Sequence, residues 1–256
     1  MLLKDKNILV TGSSRGIGKT IALGLAKQGA NICIHYKYSE KEARELVNTI
    51  YQEHKVSVFA VQASLESTEA IQNLFNSIKS EWKTLDGIIL NAATGNRKKL
   101  LEQTQGDWDQ ISHVNILSPI ECIRESLPLF KNKTGKIVLL SSEGARFGIQ
   151  HYGPIGVTKA ALEAVMRQLT VELKNTNISI NTVSATLVRT HALDAVTQGQ
   201  MNIFRDAYFI DPLDIAKLSV FLMSDQCPKS LKGQTLCLDN GTLSEFEPHL
   251  KGKPNE

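Results

Sequence analysis

The chain has 256 residues, 42% of them hydrophobic, which is long enough to bury one large core. Its formal net charge is only +3 with both signs interspersed, which excludes the basic field expected of a nucleic-acid-binding protein. No apolar run approaches the roughly 18 residues of a membrane span, and Met1–Val10 lacks the pattern of a secretory signal. We therefore expect one cytoplasmic domain over residues 1–256 with no nucleic-acid or membrane partner. The cysteines are scattered without metal-ligand spacing, so we expect buried free thiols and no metal site.

Short apolar runs alternate with helical periodicity along the whole chain. This βαβ rhythm, with several runs too continuously apolar for a sheet with one wet face, predicts a parallel sheet covered by helices on both sides. The expected fold is thus an α/β doubly wound Rossmann fold with seven strands. A polar tail at about residues 247–256 is predicted to be loose. The predicted strands are Ile8–Thr11, Asn31–Tyr36, Val56–Gln62, Gly87–Asn91, Lys136–Ser141, Ile178–Val183 and Thr235–Leu238.

A glycine-rich segment follows the first strand and precedes a helical pattern from Lys19 to Gln28. Glycines let the backbone turn sharply and approach a pyrophosphate, and the helix presents free N–H groups and its positive dipole end. A glycine cluster alone indicates no more than a turn, but its place between a strand and a helix favours dinucleotide binding. The residues expected to contact the cofactor here are Gly12, Ser14, Arg15, Gly16, Ile17 and Gly18.

The end of the second strand bears on the choice of cofactor. It reads Ile34-His35-Tyr36-Lys37-Tyr38, without the acidic residue that an NAD-selective site places on the ribose 2′-hydroxyl. Arg15 and Lys37 instead offer two cations that suit a 2′-phosphate, which favours NADPH. The alternative is that both are solvated surface charges.

Tyr152 and Lys159 are separated by six residues, and Ile155 occupies the position four before the lysine, so a Tyr-x-x-x-Lys motif is absent. Seven residues of an α-helix advance about 700°, which puts both side chains on one face about 10 Å apart along the axis. Pro154 suits a first helical turn, so Tyr152 is predicted at the helix N-terminus. The phenol would then stand farther from a cofactor held by Lys159 than a one-turn pair allows. The alternative is that Tyr152 is a helix-start residue and Lys159 a surface charge.

From Asn7 to about Leu243 the chain resembles the short-chain dehydrogenase/reductase family. The spacing Thr11-Gly-x-x-x-Gly16-x-Gly18 resembles the family's cofactor loop, and Asp239-Asn240-Gly241 resembles its terminal motif. Within the family, the gap between Tyr152 and Lys159 is most similar to that of the enoyl-acyl-carrier-protein reductases. The segment Asn91-Ala-Ala-Thr-Gly95 is most similar to their NADPH-using type III branch.

The resemblance implies roles for further residues. Asn91, Ala92 and Thr190 would lie against the cofactor, although Thr190 also suits a helix N-cap. Ser142 either helps to bind a thioester carbonyl or is a spectator. Asn115 either touches the substrate or holds a helix irregularity and an ordered water. The predicted catalytic set is therefore Tyr152, Lys159, Ser142 and Asn115.

The activity implied by the resemblance is NADPH-dependent reduction of the carbon–carbon double bond of an enoyl thioester, in fatty acid or polyketide-type biosynthesis. The displaced tyrosine agrees with it, because hydride adds to the β-carbon while negative charge appears on the carbonyl oxygen three bonds away. A carbonyl or dienoyl reductase is an open alternative. A nucleotide-binding scaffold without turnover is another, because Thr186-Leu187 replaces the Pro-Gly or Gly-Pro usual in the family.

Two surface segments have open interpretations. Residues 187–210 are rich in apolar side chains and are interpreted as a substrate lid, or else as a fixed helix pair packed on the core. Arg97-Lys98-Lys99 either attracts an acyl carrier protein or the phosphates of coenzyme A, or is simply solvated. The resemblance also implies a homo-oligomer, a dimer or tetramer, built on the small-residue edge of the Lys159 helix.

Overall fold

The sheet predicted from the apolar runs is present in a computed structural model of the protein, which describes residues 1–96, 98–150, 152–189 and 206–244. Seven strands pair in the order β3-β2-β1-β4-β5-β6-β9, and every neighbouring pair is parallel. This confirms the single α/β doubly wound fold. The strands are β1 Asn7–Val10, β2 Asn31–Tyr36, β3 Val58–Gln62, β4 Gly87–Leu90, β5 Thr134–Ser142, β6 Asn177–Ala185, β7 Leu187–Val188, β8 Phe209–Ile210 and β9 Thr235–Leu238.

Helices cover both faces of this sheet, and β1 shows how the alternating side chains divide between them. Ile8 and Val10 pack into a cluster with α1, α2 and α7, whereas Leu9 packs into a second cluster with α3, α5 and α6. All residues of β4 are buried, as the continuous apolar run predicted. The helices are α1 Gly16–Lys27, α2 Glu40–His54, α3 Thr68–Trp82, α4 Gln105–Ser112, α5 Ser118–Ser126, α6 Gly153–Glu172 and α7 Pro212–Met223, with a π-helical turn His113–Leu117 joining α4 to α5.

The strand order reverses between β1 and β4, and this position creates the crevice of the fold. The chain winds outward from β1 through β2 to β3, then returns to place β4 on the other side of β1. The connections that leave the carboxyl ends of β1 and β4 therefore diverge to opposite faces, and ligands of open α/β sheets bind in the gap between them.

The central strands β5 and β6 are longer than the apolar pattern predicted. Both continue through serine residues, and their register pairs Ser141 with Ser184 and Ser142 with Ala185. The backbone of these polar residues is satisfied by the ladder, so the strands run on after the apolar run ends. Ser142 is consequently the last residue of β5, at the edge of the crevice, rather than a loop residue beyond the strand.

The ends of the predicted lid are ordered strands. Leu187–Val188 pairs in parallel with Phe209–Ile210, and the Thr186 hydroxyl donates to the Tyr208 carbonyl at 2.8 Å. The two ends of the predicted lid segment are thus paired with each other. Residues 190–205, which hold the middle of the predicted lid, and the predicted tail at 247–256 lie outside the described residues.

The cysteines and the hydropathy of the helices can be compared with the expectations from composition. Cys33, Cys122 and Cys227 are buried free thiols, whereas Cys237 is exposed. Within residues 1–96, 98–150, 152–189 and 206–244, no helix has the length and hydropathy required to cross a bilayer.

Glycine at position 18 is a packing requirement of the fold. A Cβ atom there would lie 2.4 Å from the Gly12 carbonyl oxygen and 2.6 Å from the Asn91 side-chain nitrogen. We expect Gly18→Ala to lower the free energy of unfolding by about 1–3 kcal/mol, because the backbone of the loop must move to admit the methyl group. Urea denaturation followed by circular dichroism measures this.

Gly106→Ala in α4 is the matched control, since the nearest atom to its added Cβ is the Thr104 hydroxyl at 4.0 Å. Alanine favours a helix over glycine, so this variant should equal or exceed the original protein in stability by up to about 1 kcal/mol. Equal behaviour of the two alanine variants would contradict the packing argument.

Candidate active site

The glycine-rich loop forms a cradle at the carboxyl end of β1. Gly12 and Gly16 have φ angles of +62° and +58°, which side chains other than glycine rarely adopt. Helix α1 begins at Gly16 and has no acidic residue in its first turn, so its N-terminal amides and positive dipole end are free of a competing carboxylate. Ser14 is buried and Ile17 half-buried beside this turn. The loop thus fits the phosphates of a dinucleotide.

Asn91 and Thr11 fasten this loop to the neighbouring strand β4. The Asn91 side-chain amide donates to the carbonyl oxygens of Thr11 and Gly12, both at 3.0 Å. In return, the backbone amides of Asn91 and Ala92 donate to the Thr11 hydroxyl at 3.0 and 3.1 Å. Asn91 was predicted as a cofactor contact, and its side-chain amide binds the backbone of the loop. Thr11 begins the glycine motif identified in the sequence but was not among the predicted cofactor contacts.

His35 is a second residue that the sequence prediction did not assign to the site. The Nδ1 atom of its buried ring accepts a hydrogen bond from the Gly12 amide at 3.0 Å. The Nε2 atom lies 3.1 Å from the Ala63 carbonyl oxygen. An amide can only donate, so Nδ1 is unprotonated and Nε2 carries the hydrogen. Burial lowers the pKa of the imidazole from 6.5 to about 4, so the ring that supports the loop is neutral.

The Tyr152 phenol and Ser142 meet across the crevice from the glycine loop. Tyr152 is the N-cap of α6 and Pro154 lies in its first turn, as predicted. The phenol donates to the Ser142 hydroxyl at 3.1 Å. Burial, opposed by the Ser142 hydrogen bond and assisted by the nearby Glu143 carboxylate, raises the pKa of the phenol above 10.0. At neutral pH the site therefore presents a protonated phenol that can donate a hydrogen bond.

The position one turn before Lys159 is occupied by Ile155. Its side chain packs closely against Gly95, where an added Cβ atom would lie 2.3 Å from an Ile155 carbon. Gly144 similarly accommodates the Tyr152 ring, since a Cβ there would be 2.5 Å away from it. Gly156 is buried against the Gly144 carbonyl. The register of the phenol is fixed by these contacts.

Lys159 is buried in α6 rather than exposed on the surface. Its ammonium donates to the Leu140 carbonyl of β5 at 2.6 Å. Burial lowers the pKa of the ammonium from 10.5 to about 8. The causes of the raised pKa of the Tyr152 phenol are burial and Glu143, opposed by Ser142, and do not include Lys159.

Asn115 serves as a buried brace between the loop after β4 and helix α6. It lies in the π-helical turn, exchanges two hydrogen bonds of 2.8 Å with the backbone of Thr94, and donates to the Thr158 hydroxyl at 3.0 Å. Its carbonyl and amide are thus occupied by protein partners. This arrangement corresponds to the structural alternative, in which Asn115 holds a helix irregularity.

The two cations predicted for a 2′-phosphate differ in their surroundings. The Arg15 side chain is exposed and has no hydrogen bond or ion pair with the residues that the structure describes. Lys37 is not free, because its ammonium lies 2.7 Å from the Glu66 carboxylate. An acidic residue is therefore present at this end of the crevice, contributed by the turn after β3 rather than by β2.

The basic run near residue 97 is largely neutralised. Lys98 forms a 2.6 Å ion pair with Asp107, and Lys99 a 3.8 Å pair with Glu102. The hydrogen bond from Lys98 holds the pKa of the Asp107 carboxyl well below its usual range. Arg97 and Thr190 lie outside the described residues. Two of the three cations thus have protein partners, which weakens the carrier-docking interpretation.

The fold and this site define an oxidoreductase class, the doubly wound proteins that bind a dinucleotide at the switch point of a parallel sheet. The comparisons with known proteins narrow the class. Residues 12–242 match the family model described as "Enoyl-(Acyl carrier protein) reductase". The chain belongs to the short-chain dehydrogenase/reductase family, as the sequence resemblance predicted.

Relatives within this family have different named activities. The 3-oxoacyl-(acyl-carrier-protein) reductase FabG of Staphylococcus aureus is 29% identical over 241 residues, which is 92% of this chain and 97% of that protein. The 1-cyclohexenylcarbonyl-CoA reductase of Streptomyces collinus is 30% identical over 241 residues, or 91% of this chain and 85% of that protein.

Solved structures share the fold over nearly the full length. A short-chain dehydrogenase from Burkholderia cenocepacia in complex with NADP has 27% identity and a TM-score of 0.86, covering 95% of this chain and 100% of that one. L-sorbose reductase from Gluconobacter frateurii, complexed with NADPH and L-sorbose, has 23% identity and a TM-score of 0.88, covering 96% and 100%.

The neutral His35 ring makes stability depend on pH. Its folded pKa of about 4 lies below the ordinary 6.5, so its contribution is complete above 6.5 and is lost as pH falls towards 4. The shift corresponds to about 3 kcal/mol in total. We expect His35→Asn to lose less stability than the original protein between pH 7.5 and 4.5, measured by urea denaturation.

His54→Asn, on the surface helix α2, is the control that removes a histidine away from the loop. It should follow the original protein over the same pH range. Parallel pH profiles for all three proteins would show that the His35 ring is not held neutral by the fold.

Proposed function

We propose that this protein is an NADPH-dependent reductase of the carbon–carbon double bond of an enoyl thioester. The observation that carries the proposal is the position of Tyr152 at the mouth of α6, seven positions before Lys159, with Ile155 packed against Gly95 in the nearer slot. In this proposal the catalytic phenol, that of Tyr152, acts from the outer position.

The outer position suits an enoyl substrate for a chemical reason. In a ketone, the carbon that accepts the hydride bears the oxygen that must be protonated. The atoms that receive the hydride and the proton are therefore only one bond apart. In an enoyl thioester, hydride adds to the β-carbon and the charge develops on the carbonyl oxygen, three bonds away. A hydrogen-bond donor that meets developing charge typically contributes about 3 kcal/mol to lowering a barrier.

The described residues support NADPH as the cofactor. The glycine loop and α1 suit the pyrophosphate, Arg15 and Lys37 suit a 2′-phosphate, and the Burkholderia structure contains NADP. When bound, NADPH supplies the hydride. Lys159, buried beside β5, would hold the ribose hydroxyls in exchange for its bond to Leu140.

Tyr152 and Ser142 would share the carbonyl oxygen of the substrate. The phenol, whose pKa is raised further above neutral pH by burial, is protonated and can donate to the developing negative charge. The Ser142 hydroxyl, 3.1 Å from the phenol oxygen, orients that phenol and offers a second donor. Asn115 would act only by bracing the loop against α6.

A β-ketoacyl reductase is the second candidate, and the FabG relatives favour it. The Streptomyces collinus relative favours the enoyl reading, since its named substrate carries a ring double bond next to a thioester carbonyl. Both names support an acyl thioester, on a carrier protein or coenzyme A, and FabG supports a place in fatty acid biosynthesis.

We also propose a homo-oligomer. Exposed apolar side chains lie on the outer surface at Leu117, Val157 and Val171, with 48%, 47% and 60% of their areas exposed. A dimer or tetramer that paired α5 and α6 would cover them.

Enoyl and ketoacyl thioesters compared side by side test the proposed substrate. Crotonyl thioester should be reduced faster than acetoacetyl thioester, because the outer phenol matches the distant carbonyl oxygen. Both rates are measured from the loss of NADPH absorbance as the cofactor is oxidised. Faster acetoacetyl reduction would replace this proposal with the ketoacyl one, and NADPH binding without either turnover would favour the scaffold.

Tyr152→Phe should lower kcat and kcat/KM together while NADPH affinity stays nearly unchanged, since only the hydroxyl is lost. Ser142→Ala is the comparison, because it removes the hydroxyl partner and leaves the phenol; we expect a smaller loss of kcat. Steady-state kinetics and fluorescence titration of NADPH separate the two effects. Nearly full enoyl reductase activity in the Tyr152→Phe variant would refute the assigned role of the phenol.

A further inference from the structure

The ion pair between Lys37 and Glu66 lies where the cofactor's adenosine ribose is expected to bind. Lys37 directly follows β2, and the carboxyl end of this strand faces the ribose in doubly wound folds. Its ammonium lies 2.7 Å from the Glu66 carboxylate and 4.8 Å from the centre of the Tyr38 ring. Both partners are partly shielded, with 30% and 32% of their side-chain areas exposed.

Glu66 is anchored at this position by more than the lysine. Gln110 of α4 donates to one carboxylate oxygen at 2.8 Å, and the Ser64 hydroxyl lies 3.4 Å from the other. Lys37 is held too, because the Gln62 side chain donates to its backbone carbonyl at 2.9 Å. The carboxylate is therefore built into the site and is not a mobile surface group. The hydrogen bond from Lys37 lowers the pKa of the Glu66 carboxyl, which keeps it ionised.

A fixed carboxylate opposes a 2′-phosphate in two ways. It repels a group that carries a charge of about −1.5 to −2 at neutral pH, and it competes for the ammonium that the phosphate needs. A 2′-hydroxyl suffers neither penalty, because it is neutral. Arg15, which is exposed and has no such partner among the described residues, keeps its full attraction for the phosphate.

We propose that Glu66 is a specificity-determining residue that limits the preference of this protein for NADPH over NADH by holding Lys37. The inference rests on the proposed NADPH dependence and deepens it. Arg15 and Lys37 then contribute unequally to the preference for NADPH over NADH. Arg15 contributes most of it, and the contribution of Lys37 is reduced by its ion pair with Glu66.

The test is Glu66→Gln, which keeps the shape of the side chain while removing its charge. We expect the NADPH dissociation constant to fall about fivefold and the NADH constant to change less than about twofold, the size typical of partly screened charge pairs. Fluorescence titration of both cofactors measures this without any substrate. The outcome is therefore independent of whether the enzyme reduces enoyl or ketoacyl thioesters.

Two further variants isolate the mechanism. Glu69→Gln removes an exposed carboxylate three residues away in α3, which makes no contact with Lys37, and should leave both affinities nearly unchanged. In a Lys37→Ala background, Glu66→Gln should lower the NADPH dissociation constant by much less than fivefold. Only the repulsion between the Glu66 carboxylate and the 2′-phosphate then remains to be removed.

Three results would overturn the inference. Weaker NADPH binding by Glu66→Gln would mean that the carboxylate positions Lys37 for the phosphate. Selective loss of NADH affinity would mean that Glu66 receives a ribose hydroxyl. Equal changes for both cofactors would mean that Glu66 does not distinguish them.

Discussion

The exchange of hydrogen bonds between Thr11 and Asn91 is the interaction on which the site depends. It ties the turn after β1 to the end of β4, the two strands between which the chain reverses its winding direction. The width of the crevice depends on the positions of this turn and of the end of β4. His35 of β2 holds the same turn through its hydrogen bond with the Gly12 amide. Three strands thus share the support of one glycine loop. The loop can leave its phosphate-facing amides unpaired because its other polar groups are satisfied by the strands behind it.

The opposite wall of the crevice is built on a different principle. Tyr152 and Lys159 belong to one helix, and their separation follows from helix geometry once the tyrosine is its N-cap. Close approaches of Gly95 to Ile155 and of Gly144 to the Tyr152 ring set the height of the helix against the loops. One wall of the crevice is therefore built from strand ends, and the other from a single helix.

Local patterns predicted the sheet and the glycine loop, because burial on both faces produces apolar runs and a tight turn requires glycine. Strand ends were predicted less well, since Ser142 and Ser184 are polar yet remain in the ladder. Contacts between residues far apart in sequence were missed. Nothing near Lys37 in the chain indicates Glu66, and Lys98 gives no sign of Asp107. His35 and Thr11 were visible as polar residues in apolar strands, but only the folded structure shows that both serve the loop.

The packing of Ile155 against Gly95 also bears on how such a site can change over generations. A substitution at position 155 changes a contact between α6 and Gly95 of the loop after β4, and Asn115 holds the adjacent Thr94 of that loop. Changes in the tyrosine spacing would therefore act on the helix and on this loop together.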